Sequence, residues 1–243
     1  MKLKEYFNYF FKVRRCGGCG EILDCEHASY AFCSKCYLKW RIAKTETCPV
    51  CYQSAVECLC APKGLGRTGA IGLIKLYFYS PAKSGQPQNR LLYRIKRYRN
   101  KRLSSFIAGE LTPRILSELK VLGLDPDVDV VLANIPRGQS ARRMYGFDQS
   151  ELICREISDK TGIQYLNLLK RSKGSSEQKR LTKDKRFRNV ESSFKCMGSV
   201  ENKYVILFDD VVTTGASMAA GVNLLKKAGA KGVICVCMAS TVK

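Results

Sequence analysis

The sequence predicts an α/β protein: a parallel-sheet domain preceded by a small metal-binding module. Two observations carry this reading. From residue 71 onward, short apolar strand-like runs alternate with helical stretches, the pattern of a parallel sheet. Nine of the thirteen cysteines fall between Cys16 and Cys60, eight of them in closely spaced pairs.

The elements follow in order, with a module over 1–62 and a sheet domain over 71–243. Residues 1–15 read as a short amphipathic helix or an ordered tail, and 16–60 as the cysteine module. A joint follows at Ala61-Pro62-Lys63-Gly64-Leu65-Gly66. The Gly64-x-Gly66-x-x-Gly69 pattern in it lacks a preceding strand and a later acidic residue, so it reads as a flexible joint, not a dinucleotide fingerprint. Residues 71–79 suit a strand and 80–88 a turn. A helix then runs from Asn89, with Leu91, Leu92 and Ile95 on one face. Residues 103–122 form a second helix, entered or kinked near Pro113. Strands are expected at 129–133, 204–208 and 233–238, helices at 147–160 and 216–228, and a mobile loop at 172–190.

Charge is the outlier of the composition. The chain carries 42 Lys and Arg against 21 Asp and Glu, a formal +21. Residues 1–60 account for +3 of this, so the excess lies in the second part, where a polyanionic ligand would be welcome. Tyr6, Phe7, Tyr9, Phe10 and Phe11 are broken by Asn8 and flanked by lysines, unlike a secretory signal. No run approaches the roughly 18–20 apolar residues of a membrane span. A cytoplasmic protein is expected, and in that compartment clustered cysteines hold metal in preference to forming disulfides.

The most informative stretch is Tyr204-Val-Ile-Leu-Phe-Asp209-Asp210-Val-Val-Thr213-Thr214-Gly215-Ala216-Ser217. A buried strand delivers two adjacent carboxylates at its C-terminal end, where open α/β sheets bind ligands. A tight loop with hydroxyls and one glycine follows, and a helix begins at once. Backbone N–H groups, the hydroxyls of Thr213, Thr214 and Ser217, and the helix N-terminus can wrap a phosphate monoester. Asp209 and Asp210 would repel that phosphate but can accept hydrogen bonds from ribose hydroxyls. A ribose 5-phosphate needs both. An apolar strand ending in an Asp pair also suits a nucleotide-hydrolase strand, but the chain contains no Gly-Lys dipeptide for the matching phosphate loop.

This stretch closely resembles the phosphoribosyl pyrophosphate (PRPP) motif of type I phosphoribosyltransferases. The resemblance implies that Asp209 and Asp210 hold the ribose hydroxyls and Thr213, Thr214, Gly215, Ala216 and Ser217 the 5′-phosphate. It also implies Mg²⁺ bound together with PRPP. Three further stretches resemble the ComF family of bacterial competence proteins. They are Leu91 to Arg97; Asn134-Ile135-Pro136-Arg137 with Arg142 to Gln149; and Gln178, Leu181, Thr182, Arg186, Asn189, Val190 and Phe194. In the second, Gly146, Phe147 and Gln149 match the family, while Tyr145 and Asp148 replace its Arg and Asn; Arg142 or Arg143 is available to supply the missing charge. Leaving pyrophosphate concentrates negative charge that basic residues must surround. Arg137 is the candidate on the loop after the strand. Arg186, with Asp209 and Asp210, is a candidate catalytic group on a closing loop.

The cysteines form Cys16-x2-Cys19, Cys33-x2-Cys36, Cys48-x2-Cys51 and Cys58-x-Cys60. Two Cys-x2-Cys turns complete one four-thiolate zinc site, and Cys16, Cys19, Cys33 and Cys36 have a zinc-ribbon spacing. The second site has two readings. ComF-like order joins Cys48 and Cys51 to Cys58 and Cys60, whereas a RING-like cross-brace joins them to Cys25 and His27. The wide gap from His27 to Cys33 favours the first. Two structural zinc ions are therefore expected. Cys154, Cys196, Cys235 and Cys237 read as small core residues.

The ComF resemblance implies a PRPP-binding protein of DNA uptake that contacts single-stranded DNA or uptake-machinery proteins. An active phosphoribosyltransferase with an unidentified nitrogenous acceptor is the alternative, and a RING-like recruiter is the third. The seven basic residues from Arg90 to Arg102 have no acidic neighbour in that window, and Tyr93 and Tyr98 lie among them for stacking on bases.

Overall fold

The apolar runs of the second domain form one parallel sheet in the computed structural model, which describes residues 14–24, 30–172 and 193–241. Its strands are β1 (Leu73–Ile74), β2 (Tyr77–Phe78), β3 (Val130–Asn134), β4 (Gln164–Tyr165), β7 (Tyr204–Val212) and β8 (Gly232–Ser240). A separate antiparallel pair is made by β5 (Leu169–Arg171) and β6 (Phe194–Cys196). The sheet order is β1-β8-β7-β3-β4, with β2 also on β8. The strand expected at 71–79 is therefore one sheet position in two pieces, divided at Lys75 and Leu76.

The helices are α1 (Ser34–Lys44), the one-turn α2 (Lys63–Gly66), α3 (Pro87–Arg97), α4 (Lys101–Val121), α5 (Gln139–Tyr145), α6 (Gln149–Thr161) and α7 (Ala216–Lys227). Successive strand residues face opposite sides, which sorts the core into two. Val130, Leu132, Ile206, Phe208, Ile234 and Val236 face the helices α3, α4 and α6. Val131, Ala133, Val205, Leu207, Val233 and Cys235 face α7 and the β5–β6 pair. Gly221 lets α7 lie close: a Cβ there would sit 2.7 Å from Ile135 and 2.9 Å from Leu207.

The cysteine module packs into the first core. Trp40, fully buried, meets Phe32, Phe106 and Tyr77 at ring separations of 5.5–5.7 Å. Its indole N–H donates to Glu110 of α4, 3.0 Å away, which also pairs with Lys44 at 2.6 Å. The module and the sheet domain thus share apolar surface.

Several boundaries differ from the sequence expectation. Helix α4 is entered at Lys101, where Asn100 caps the Leu103 amide at 3.1 Å, and Pro113 sits inside it. Strand β7 continues to Val212, so the Asp pair lies within the strand, paired to β8. Helix α1 was not marked by any sequence signal beyond Trp40 and the cysteines. The Gly64–Gly69 joint is anchored, because Leu65 is fully buried against the second core. Cys154, Cys235 and Cys237 are buried, whereas Cys196 is half-buried with its thiol on the Gly198 carbonyl, 3.2 Å away. Residues 1–13, Cys25, His27 and Arg186, the last with most of the stretch expected as a loop at 172–190, lie outside the described residues.

Candidate ribose-phosphate site and thiol clusters

Chain order places a switch point between β3 and β7. From β3 the chain crosses to β4 on one side, and from β7 it crosses through α7 to β8 on the other. The crevice beyond the carboxyl ends of two such strands is where open α/β sheets take ligands. Asp209 and Asp210 come from β7, and Asn134 to Arg137 follow β3.

Asp209 and the run Val211 to Met218 line one shallow pocket. Thr213 and Thr214 are exposed, and Ser217 is half-buried. Gly215 ends the loop at φ +78°, a conformation costly for other residues. A Cβ there would also stand 3.1 Å from Leu65. The first turn of α7 lines this pocket, its amides lack intrahelical acceptors, and the Ala216 N–H donates to the Thr214 hydroxyl at 3.4 Å; such a helix start suits an anion.

The two carboxylates differ. Asp209 is half-buried, and one of its oxygens accepts the Asp210 amide at 2.8 Å. Burial and the neighbouring Asp210 carboxylate push its pKa well above the usual carboxylate range. Asp210 is buried, with one oxygen 3.1 Å from the Lys96 ammonium and the other accepting from the Gln149 amide. Sequence reasoning placed Lys96 in a basic run and Gln149 in a family motif, without joining either to the Asp pair.

Arg137 lies on the loop after β3, as expected, but its guanidinium is engaged within the protein. It donates to the Lys96 carbonyl at 2.7 Å and packs over the Tyr145 ring at 4.5 Å. Its amide donates to Asp148, which also caps α6 through the Ser150 and Glu151 amides. A cavity of about 320 Å³ opens beside this loop, lined by Arg137, Arg142, Lys170, Arg171, Asn134 and Asn167 among others. Its floor is the β3 end, and Lys170 and Arg171 reach it from the β5–β6 pair. Arg171 also donates to the Pro136 carbonyl at 3.2 Å.

Cys16, Cys19, Cys33 and Cys36 bring their sulfur atoms within 4.8 Å of one another, and so do Cys48, Cys51, Cys58 and Cys60. A tetrahedral zinc tetrathiolate has sulfur–sulfur edges of about 3.8 Å, and the Cys19–Cys33 separation is 3.7 Å. Backbone amides point at the first sulfur of each set: the Cys33 N–H at Cys16, 3.3 Å, and the Val50 N–H at Cys48, 3.4 Å. Burial raises the Cys16 and Cys48 thiols, but the backbone amides of Cys33, Cys19 and Gly18 at the first and of Cys51 and Val50 at the second, with neighbouring thiols, together outweigh it and bring both to about 7. Burial pushes Cys19 up to about 11 and Cys60 up to about 12, with thiol neighbours adding to the rise. A divalent cation relieves that crowding, so each set could hold a zinc ion.

Comparison with known proteins adds relatives. Residues 154–241 match the model of the phosphoribosyl transferase domain. The chain is 28% identical over 221 residues to the DNA utilization protein YhgH of Escherichia coli K12, covering 87% of this chain and 91% of that one. A shorter stretch of 46 residues is 50% identical to a ribose-phosphate pyrophosphokinase of Prochlorococcus marinus, 19% of this chain and 14% of the enzyme. Among solved structures, a hypoxanthine phosphoribosyltransferase of Staphylococcus aureus aligns at 15% identity and a TM-score of 0.36, covering 58% of this chain and 65% of that one. No helix among the described residues is long and apolar enough to cross a membrane.

Proposed function

We propose that this chain, which has a type I phosphoribosyltransferase fold, is a ComF-like protein that binds PRPP with Mg²⁺ and serves in the handling of DNA during uptake. One observation carries the PRPP reading: Asp209 and the loop Thr213 to Ser217 line the same pocket at the N-terminus of α7. A ribose 5-phosphate would set its phosphate on the loop amides and hydroxyls. Its hydroxyls would face Asp209, with Asp210 behind. Mg²⁺ bound together with PRPP would supply neutralisation of the pyrophosphate charge. Lys170, Arg171 and Arg142 bring positive charge for a pyrophosphate to the adjoining cavity, which Asp148 and Glu151 also line and where the Arg137 guanidinium is already engaged. Arg186 serves as the closing-loop group in this proposal.

The DNA part is supported by similarity to a protein named for DNA utilization and by the charge of the helix pair α3–α4. Arg90, Arg97, Arg99 and Lys101 are exposed there, and Tyr98 is 66% exposed. Such a face attracts a single strand through its phosphates and offers a ring for stacking. Tyr93 is committed elsewhere: its hydroxyl pairs with that of Tyr79 at 3.1 Å. Uptake-machinery proteins are the further partners of this reading.

A second reading, transfer of phosphoribose to a nitrogenous acceptor, is favoured by the 320 Å³ cavity beside the loop, which has room for a small acceptor. Thermal shift and calorimetry with PRPP and Mg²⁺ test the first reading. Binding should raise Tm by mass action, and Asp209→Asn with Asp210→Asn should abolish the rise while circular dichroism stays native. Equal affinity in the double variant overturns the site. Release of pyrophosphate from labelled PRPP on screening bases and amines would establish the second reading.

A further inference from the structure

Lys75 is fully buried at the break between β1 and β2. Its ammonium donates to the Cys58 carbonyl and to the Leu73 carbonyl, 3.0 Å away, and lies 3.5 Å from the Cys58 sulfur. Among the described residues, no ion pair involves Lys75. Carbonyl oxygens satisfy its hydrogen bonds but carry no formal charge. A buried ammonium without a counter-charge is costly, and removing its partner leaves that cost exposed.

The counter-charge is at hand. Cys58 belongs to the set Cys48, Cys51, Cys58 and Cys60, and four thiolates around one zinc ion carry a net charge of −2. We propose that Lys75 is the built-in charge partner of the second thiolate set, donating an N–H···S hydrogen bond to the Cys58 thiolate when metal is bound. The assignment rests on the reading of that set as a zinc site. Hydrogen-bond donors outside the ligand shell commonly alter metal affinity by about 10–100-fold.

The consequence is coupling between the module and the sheet. Ile74 and Leu76, on either side of Lys75, bond into the sheet through Val236 and Met238 of β8. The same β8 pairs with β7, which carries the Asp pair. Metal in the second set therefore stabilises the edge of the ribose-phosphate sheet, and loss of that metal strands a positive charge there.

The test uses the full chain loaded with zinc and a graded colorimetric chelator. The wild type should release two ions, and Lys75→Met should release one of them at about 10–100-fold lower chelator concentration, with the other unchanged. Unchanged release of both ions, or equal weakening of both, overturns the assignment. A wild-type chain that binds fewer than two ions overturns the metal reading itself, and the Lys75 role with it. If Lys75→Met alone does not fold, the substitution is placed in a Cys58→Ser, Cys60→Ser background. There it should raise Tm relative to the serine variant, because the stranded charge is gone. A fall in Tm, or no change, in that background assigns Lys75 a packing role and overturns the proposal.

Discussion

The Lys96 ammonium stands 3.1 Å from one oxygen of Asp210, while the Gln149 side chain holds the other. Asp210 is thereby fixed on both sides, and Asp209 is left as the carboxylate that opens onto the loop Thr213 to Ser217. The adjacent carboxylates thus have different surroundings. Through its own carbonyl, Lys96 also receives the Arg137 guanidinium, so α3 holds the acidic pair and the loop after β3 together.

Replacing Lys96 by Met should weaken the fold by about 1–2 kcal/mol. The Lys96 side chain is 33% exposed and that of Asp210 8%. The pair therefore falls between an exposed bridge, about 0–1 kcal/mol, and a buried one broken on one side, about 3–5 kcal/mol. Urea denaturation gives the value. Asp210→Asn should also destabilise, since it removes the charge that Lys96 faces. A neutral outcome for both variants would show that this contact contributes nothing to stability.

Asp209→Asn should do the opposite in the ligand-free protein and raise Tm at pH 7. Burial and Asp210 lift the Asp209 carboxyl above its ordinary 3.8. A group whose folded pKa is raised favours the protonated form, so its ionisation costs stability once pH exceeds about 3.8, and the cost grows up to the folded pKa. The advantage of the Asn variant should accordingly shrink as pH falls toward 3.8. The same variant should lose the PRPP-induced rise in Tm. Melting curves from pH 4 to 8, with and without PRPP and Mg²⁺, measure both effects. A site that trades stability for ligand binding shows this crossing of signs.

The strand, the Asp pair, the loop Thr213 to Ser217 and the helix after it were legible as local structure because they follow one another without a gap. Lys75, Lys96 and Gln149 were not legible as parts of sites, since each meets its partner across a long sequence separation. Lys75 lies within the run 71–79 that reads only as a strand, and its zero exposure is what sets it apart. The Gly64–Gly69 stretch reads as a hinge by composition, yet Leu65 within it sits under Gly215. The parallel sheet was expected from the alternation of runs. The β5–β6 pair was not, because strands of three residues leave no periodicity to read.

Trp40→Ala should cost about 3–5 kcal/mol, the usual range for emptying a buried aromatic site. Loosening of the module alone is expected from the sequence division at residue 62. The shared core argues for more, since Trp40 touches Tyr77 of β2 and Phe106 of α4. Hydrogen exchange should show lost protection in α1 and in α4 together. Protection lost in residues 30–60 alone would show that the module opens independently of the sheet domain.

Single-stranded DNA binding should be steeply salt-dependent, and its dependence should localise to α3–α4. Each phosphate neutralised on a single strand contributes about 0.7 to the slope of log K against log salt. Replacing Arg97, Arg99 and Lys101 by Ser, all exposed, should therefore reduce the slope by about 2 if each side chain holds one phosphate. Arg102 is left intact in this test because it donates to the carbonyls of Tyr30 and Arg15 and so holds the module. Tyr98→Ala should lower affinity with little change in slope, because stacking on a base neutralises no phosphate. Fluorescence anisotropy with a labelled oligonucleotide at several salt concentrations separates the two effects. No binding by the wild-type chain at low salt would remove the DNA contact from the proposed function and leave the PRPP site standing alone.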